Sequence, residues 1–289
     1  MTGEKFIPRA DHVGSLLRPE SVKVARQQHF TEGSLSAAGL ARVEDAAIID
    51  LVKMQEAVGM PVVTDGEARR SFWHYDYMGG LIGLDLEERD EGVQFAGVKL
   101  RPIFPTINGP LDFPDDHPML DHYRYLASVS SHQPKISIPG PSCCHFRTAL
   151  DDIRHKPYRD DVDFLMEDII ASYKKAVQAF YDAGCRYLQL DDIFFAYLCD
   201  PKHRAVKQAI GQDPDWLIEK YGYMMHESIK DRPADMTIGM HMCRGNMMSA
   251  HAAEGSYHAV ADTVFNKTGV DVFFMEYDTE RAGDLDPLG

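Results

Sequence analysis

The 289-residue sequence contains no apolar run approaching the roughly 20 residues a helix needs to span a bilayer. Its start, Met1-Thr2-Gly3-Glu4-Lys5-Phe6, lacks the apolar core of a secretory signal. The expectation is a cytoplasmic protein with no membrane partner. No cluster of Lys and Arg is present, and 45 acidic against 30 basic residues give a formal net charge of −15, which would repel a phosphate backbone. Nucleic acid is therefore not expected as a partner, and the acidic excess reads as a solvated surface. Cysteine is scarce: five residues, at 143, 144, 185, 199 and 243, are odd in number and widely scattered. That excludes a disulfide framework and leaves small buried hydrophobes or ligands. Cys185 and Cys199 read as packing residues, whereas Cys143-Cys144, after a Pro-Gly-Pro turn, is open to either reading.

With 44% hydrophobic residues the chain can bury a substantial core, as one large α/β domain or two small ones. Short apolar runs alternate with longer amphipathic stretches, the pattern of repeated βα units and a parallel sheet. A first strand is expected to end in His12-Val13-Gly14-Ser15, followed by helical sequence from about 19 to 59 with a break at 31–36. Further strands are expected at 60–67, 135–141, 186–192, 236–241 and 270–276, with helices near 161–183, 215–229 and 257–265. Residues from about 71 to 134, rich in Gly, Pro and aromatics, read as a long insertion after the second strand. Its Val93-Gln94-Phe95 and Val98-Lys99-Leu100 segments suggest a β-hairpin. Polar residues recur where the strands end: Ser15, Asp65 and Glu67, Asp191 and Asp192, His241 and Cys243, and Glu276. Active sites of (β/α)8 barrels lie at the carboxyl ends of the strands, so this distribution favours a TIM-type barrel over a doubly wound sheet.

His241 and Cys243 are two apart on an expected strand, so their side chains share one face and could share one metal. Glu276 lies one strand-helix-strand unit further on, where it would reach the neighbouring parallel strand. From spacing alone the pair is equally well a core histidine and a packing cysteine. Glu67 and Asp191 end apolar strands, where a carboxylate is costly unless paired; they suit a cationic amino group, or pair with Arg18, Arg69 or Arg70. Gly14 and Ser15 could offer N–H groups and a hydroxyl to a carboxylate, or form an ordinary turn. Phe72-Trp73-His74-Tyr75 could line a pocket for a flat ligand, or simply pack.

Several of these segments together resemble one family. Asp11-His12-Val13-Gly14-Ser15-Leu16-Leu17-Arg18-Pro19, Val63-Thr64-Asp65-Gly66-Glu67, Leu188-Gln189-Leu190-Asp191, His241-Met242-Cys243 and Met275-Glu276 are similar, in order and spacing, to the catalytic domain of cobalamin-independent methionine synthase. The match extends to short single-domain bacterial relatives through Arg69 to His74 and the Cys-Arg-Gly-Asn run after His241. The resemblance implies one barrel domain over 1–289 and a zinc ion that binds homocysteine as its thiolate, with methyl transfer to that sulfur from methyltetrahydrofolate or another donor. It also implies His241, Cys243 and Glu276 as zinc ligands, Glu67 and Asp191 on the homocysteine amino group, and Gly14 and Ser15 on its carboxylate.

Two departures shape further expectations. The family's fourth zinc ligand is a cysteine near the end of the eighth strand, and this chain has no counterpart to it. The expectation is therefore a barrel without strands seven and eight, its open edge covered by a partner or a second copy of the chain. The domain that helps two-domain relatives bind folate is also without a counterpart, which leaves alkyl transfer to another thiol such as coenzyme M, or an inactive truncated barrel, as alternatives.

Overall fold

The computed structural model describes residues 5–90, 94–95, 98–99, 102–245, 251–277 and 279–289. Val93, Leu100 and Asn246, which belong to segments singled out above, lie outside the described residues. Helices α1 (Glu20–Phe30) and α2 (Ala37–Ala57) form an antiparallel pair around the expected break. Ser36 starts α2 by accepting a hydrogen bond from Gly39 N at 3.1 Å, satisfying one of the free N–H groups of the first turn. Strand β1 (Val62–Val63) follows, then α3 (Tyr75–Met78).

The described residues of the expected insertion form regular structure. It is built on a long antiparallel hairpin of β2 (Ile82–Glu88) and β5 (Ile103–Asp112), which encloses the short pair β3 (Gln94–Phe95) and β4 (Val98–Lys99). Helix α4 (Pro118–Val129) returns the chain to β6 (Gln133–Pro134) and β7 (Ile136–Pro139). Helices α5 (Ser142–Arg147), α6 (Lys156–Asp160) and α7 (Val162–Asp182) lead to β8 (Tyr187–Asp191). After α8 (Phe194–Cys199), α9 (Pro201–Ala209) and α10 (Pro214–Ile229) comes β9 (Thr237–Met242). A 3-10 turn at Tyr257–Ala259 and α11 (Ala261–Lys267), which divide the single helix expected at 257–265, precede β10 (Val272–Met275).

Strands β7, β8, β9 and β10 form a parallel four-stranded sheet in that order, and β1 pairs in parallel with β6. Residues 133–139 are one extended run, with Lys135 N donating to Val63 O at 2.9 Å, so β1 lies alongside the same run that β8 flanks further on. This is a mixed α/β fold with a parallel core. The pairings seen are those of an open sheet; an eight-stranded closed barrel goes beyond them.

Period-two alternation gives this sheet two unlike faces. Ile136, Ile138, Leu188, Leu190, Ile238, Met240 and Met242, each 0 or 1% exposed, share one apolar core with Leu165, Ile169 and Tyr173 of α7 and Leu217 and Tyr221 of α10. The alternate positions are polar: Lys135 and Ser137, Tyr187, Gln189 and Asp191, Thr237 and His241. On this polar face lies the N-terminal segment, where the expected first strand does not form. Its backbone carbonyls are taken by side chains instead of a ladder: Thr237 Oγ1 donates to Phe6 O at 3.1 Å, Gln189 Nε2 to Val13 O at 2.8 Å and Thr64 Oγ1 to Gly14 O at 2.7 Å. Lys135 Nζ bonds His12 O and, at 2.9 Å, Asp11 Oδ1, while the Tyr187 hydroxyl donates to Asp11 Oδ2 at 2.7 Å. Among the described residues no helix is long and apolar enough to cross a membrane.

Candidate active site

The carboxyl ends of the parallel strands bring the candidate residues onto one face. Glu67 follows β1 in a tight turn where both Gly66 (φ 66°) and Glu67 (φ 57°) adopt left-handed backbone. For a residue with a side chain that conformation costs about 1 kcal/mol or more and persists only where neighbours enforce it. Here they do. Thr64 Oγ1 accepts from Gly66 N at 3.2 Å and Asp65 Oδ1 from Glu67 N at 2.9 Å, while Arg18 donates to the carbonyls of Glu67, Ala68 and Arg70 at 3.0, 3.3 and 2.6 Å. The turn aims the Glu67 carboxylate inward, where Oε1 accepts from Ser137 Oγ at 3.1 Å and faces Arg70 Nη1 at 3.4 Å. Of the three arginines considered as partners for these carboxylates, only Arg70 pairs with Glu67; Arg69 pairs with Glu44 and Asp45, and Arg18 serves the turn.

Asp191 ends β8 beside this group. Burial, and after it the negative charge of Glu67, push its carboxyl up to about 7. Gln189 opposes that by donating from Nε2 to Asp191 Oδ1 at 2.8 Å, and the same amide group holds Val13 O. Two inward carboxyl groups that repel each other in a buried place make a receptor for a cation. Gly14 (φ 108°) adjoins Val13 with its carbonyl engaged by Thr64, and Ser15 is exposed.

The sheet register aligns the remaining candidates. Asp191 pairs with His241 across β8 and β9, and His241 pairs with Phe274 across β9 and β10. Cys243 and Glu276 follow Met242 and Met275, the last paired residues of the two strands. The His241 imidazole is half-buried and burial lowers its pKa to about 4, so it is neutral at physiological pH. Its Nδ1 lies 3.3 Å from Phe274 O, which fixes the proton there and leaves Nε2 with a free lone pair. The Cys243 thiol is pushed up to about 12 by burial and by the Glu276 carboxylate within hydrogen-bonding reach; Gly245 N donates to its sulfur at 3.2 Å. Imidazole, thiol and carboxylate are donor types that suit zinc, and here the thiol and the carboxylate lie within reach of each other. The three ligand atoms are more loosely spaced than those of the one tight group among the described residues, His258, Asp284 and Asp286, which is exposed.

The aromatic segment forms a wall nearby. The His74 ring packs between Trp73 and Tyr75, with ring centroids at 4.3 and 3.9 Å. Phe72 and Tyr75 line a cleft of about 760 Å³ together with Arg18, Arg26 and Arg70. Three site residues escape a reading by strand ends alone: Ser137, Gln189 and Lys135. The signal for them lies in the sequence as alternation, Lys135-Ile136-Ser137-Ile138 and Tyr187-Leu188-Gln189-Leu190-Asp191, in which every second residue is polar or amphipathic.

Residues 8–251 match the family described as "Cobalamin-independent synthase, Catalytic domain". The chain is 43% identical over 281 residues to the uncharacterized protein YxjH of Bacillus subtilis (strain 168), covering 97% of this chain and 73% of that protein. It is 42% identical to the uncharacterized YxjG of the same organism, with the same coverage. Among solved structures, the putative vitamin-B12 independent methionine synthase from Listeria monocytogenes superposes with a TM-score of 0.77 at 38% identity, over 95% of this chain and 74% of that one. A B12-independent methionine synthase from Shewanella sp. W3-18-1, solved in complex with selenomethionine, shares the fold with a TM-score of 0.61 at 17% identity, over 83% and 65% of the two chains. A match over most of the chain, with relatives more than 40% identical across 97% of it, makes this protein a member of the cobalamin-independent methionine synthase family, built on that family's catalytic domain.

Proposed function

We propose that the chain is a zinc-dependent methyltransferase that transfers a methyl group from methyltetrahydrofolate to the thiol of homocysteine, giving methionine. The reading takes residues 1–289 as one barrel-type catalytic domain. The observation that carries it is the gathering of Glu67, Asp191, His241, Cys243 and Glu276 at or just beyond the carboxyl ends of parallel strands, with Asp191 and His241 paired by the sheet register and Glu67 joined to Ser137. His241, through Nε2, with Cys243 and Glu276 would hold the zinc. Zinc bound there supplies a Lewis acid that keeps an incoming thiol deprotonated at neutral pH.

The remaining work falls to the chain's own groups. Glu67 and Asp191 receive the substrate ammonium, whose positive charge relieves their mutual repulsion and draws Asp191 into its ionised form. Gln189, by occupying Asp191 Oδ1, directs Oδ2 toward the ligand. Gly14 and the exposed Ser15 would contact the carboxylate. The selenomethionine complex of the Shewanella protein supports an amino-acid ligand in this family.

The test is calorimetric titration of homocysteine into zinc-supplemented protein, with methionine formation from methyltetrahydrofolate followed by mass spectrometry. Wild type should bind and turn over, and Asp191→Asn should weaken homocysteine binding tenfold or more by removing a charge-assisted hydrogen bond. If wild type binds zinc but not homocysteine, the substrate assignment is wrong. If His241→Ala leaves zinc binding unchanged, the metal assignment is wrong.

A further inference from the structure

The two strands that carry the proposed zinc ligands end without a hydrogen-bonded ladder between Cys243 and Glu276, since β9 stops at Met242 and β10 at Met275. Something else must set the spacing between these two residues. One side chain meets both strand ends. Tyr257, fully buried in the 3-10 turn that leads into α11, places its hydroxyl against the backbone of Glu276: Glu276 N donates to it at 3.3 Å, and it donates to Glu276 O at 3.4 Å. The turn itself is fixed, because Ser256 caps it by accepting from His258 N.

The ring of Tyr257 is held from both sides. The Arg244 guanidinium lies 4.2 Å from its centroid, and the Tyr277 ring packs at 5.0 Å. Arg244 directly follows Cys243, and Tyr277 directly follows Glu276, so each successor of a proposed ligand contacts the same aromatic ring. Arg244 is 1% exposed, and among the described residues Nε, Nη1 and Nη2 have no hydrogen-bond partner within normal distance. A buried charge is costly, and the electron-rich face of Tyr257 offsets part of that cost. The backbone of Arg244 is anchored as well, its carbonyl accepting from Ala252 N at 2.9 Å and Ala253 N at 3.0 Å.

We infer that Tyr257 is a positioning residue that sets the Cys243–Glu276 spacing, with Arg244 and Tyr277 clamping its ring and its hydroxyl gripping the Glu276 peptide. The inference rests on the reading of His241, Cys243 and Glu276 as metal ligands. Residues that orient ligands typically change metal affinity by ten- to a hundredfold when altered. Tyr257→Phe keeps the buried ring and removes only the grip on Glu276.

The experiment loads the full chain with cobalt(II), whose visible bands report ligand geometry and whose near-ultraviolet band reports thiolate coordination, and measures affinity by chelator competition. Wild type should show both signatures, and Cys243→Ser should lose the thiolate band. Tyr257→Phe should bind cobalt about tenfold more weakly or worse, with shifted visible bands, while its circular dichroism and melting temperature stay near wild type. Arg244→Met, a second route to the same clamp, should shift the visible bands in the same sense. If Cys243→Ser loses the thiolate band but Tyr257→Phe and Arg244→Met keep wild-type affinity and spectra, the clamp is refuted and the metal reading stands. If wild type shows no thiolate band, the metal reading fails and the clamp falls with it. If Tyr257→Phe does not fold, the Arg244→Met spectrum alone decides.

Discussion

The site tolerates little change at single residues, and Gly140 shows why. It links β7 to α5, donates from its N–H to Asp191 O at 2.7 Å, and has no room for a side chain: a Cβ there would lie 2.4 Å from Asp192 Oδ2 and 2.7 Å from Asp192 Cβ. Asp192 cannot step aside, because Oδ1 accepts from Ser142 Oγ at 2.5 Å and its N–H donates to His241 O at 2.9 Å. A clash at 140 is therefore passed on to Asp191 and His241. Gly140→Ala should lose roughly 2–3 kcal/mol through overpacking of a rigid neighbour. Gly33→Ala is the fitting comparison, since it has open space but a φ of 65° and should lose only about 1 kcal/mol. Urea midpoints of the two variants decide the matter: a loss at 140 no greater than at 33 would mean that Asp192 gives way to the added methyl. At this scale the sequence was informative wherever a polar residue interrupts an apolar strand end, as at Glu67, Asp191 and His241. It was silent on Gly140 and Tyr257, whose roles depend on contacts made by residues far along the chain.

At the scale of elements, legibility followed local consistency. Helix α7 was readable because its apolar spacing, its N-terminal Asp161 and the Ala183-Gly184 end agree with one another. The hairpin of β2 and β5 was not, since β5 holds Pro105 and Pro110 and a Gly109, residues that normally mark the end of a strand. It forms because Leu84, Ile107 and Leu111 bury against the main core, an effect of tertiary packing. Helix α8, Phe194-Phe195-Ala196-Tyr197-Leu198-Cys199, has the composition of a strand, and wholly buried surroundings override that preference. The N-terminal strand failed for the opposite reason, since side chains of the sheet captured its carbonyls. Where local signals do govern, they can be measured. Asp161 Oδ1 accepts from Asp163 N at 3.0 Å and Phe164 N at 3.3 Å, and α7 buries Leu165, Ile169, Tyr173 and Phe180 in the main core. Asp161→Ala should cost about 1 kcal/mol, and Asp161→Ser, which restores an acceptor, should recover most of it in a thermal melt. Equal melting of the Ala and Ser variants would show that the cap does not contribute.

For the whole molecule, the buried ionisable groups set how stability depends on pH. Six histidines, at 12, 74, 117, 122, 145 and 241, have pKa values lowered chiefly by burial, to about 4 at His122 and His241 and about 3 at His145. Each stays neutral in the fold while its unfolded counterpart protonates near 6.5, so the stability each contributes is complete above that pH and is lost as pH falls toward its folded value. Three buried carboxyls act in the opposite sense: Glu44 is raised by burial, and Asp191 (about 7) and Asp192 (about 6) are raised so that the fold holds these two protons more tightly than the unfolded chain from roughly pH 4 up to those values. On unfolding, His122, His145 and His241 take up protons against those released by Asp191 and Asp192, and His12, His74 and His117 add to the uptake against Glu44 alone. The net slope is therefore positive, and each excess proton contributes about 1.4 kcal/mol per pH unit. Stability should rise from pH 4.5 to about 6.5 and flatten above 7, as followed by urea unfolding across that range. His145 offers a clean dissection, being buried with Nδ1 2.8 Å from the Tyr221 hydroxyl and distant in sequence from the site. His145→Gln, which keeps a polar partner for Tyr221 and cannot protonate, should reduce the slope between pH 5 and 6 by about one proton's worth. An unchanged slope would mean that His145 does not hold its neutral form in the fold. Zinc should steepen the acid limb further, since a metal held by the neutral imidazole of His241 competes directly with protons for that ring.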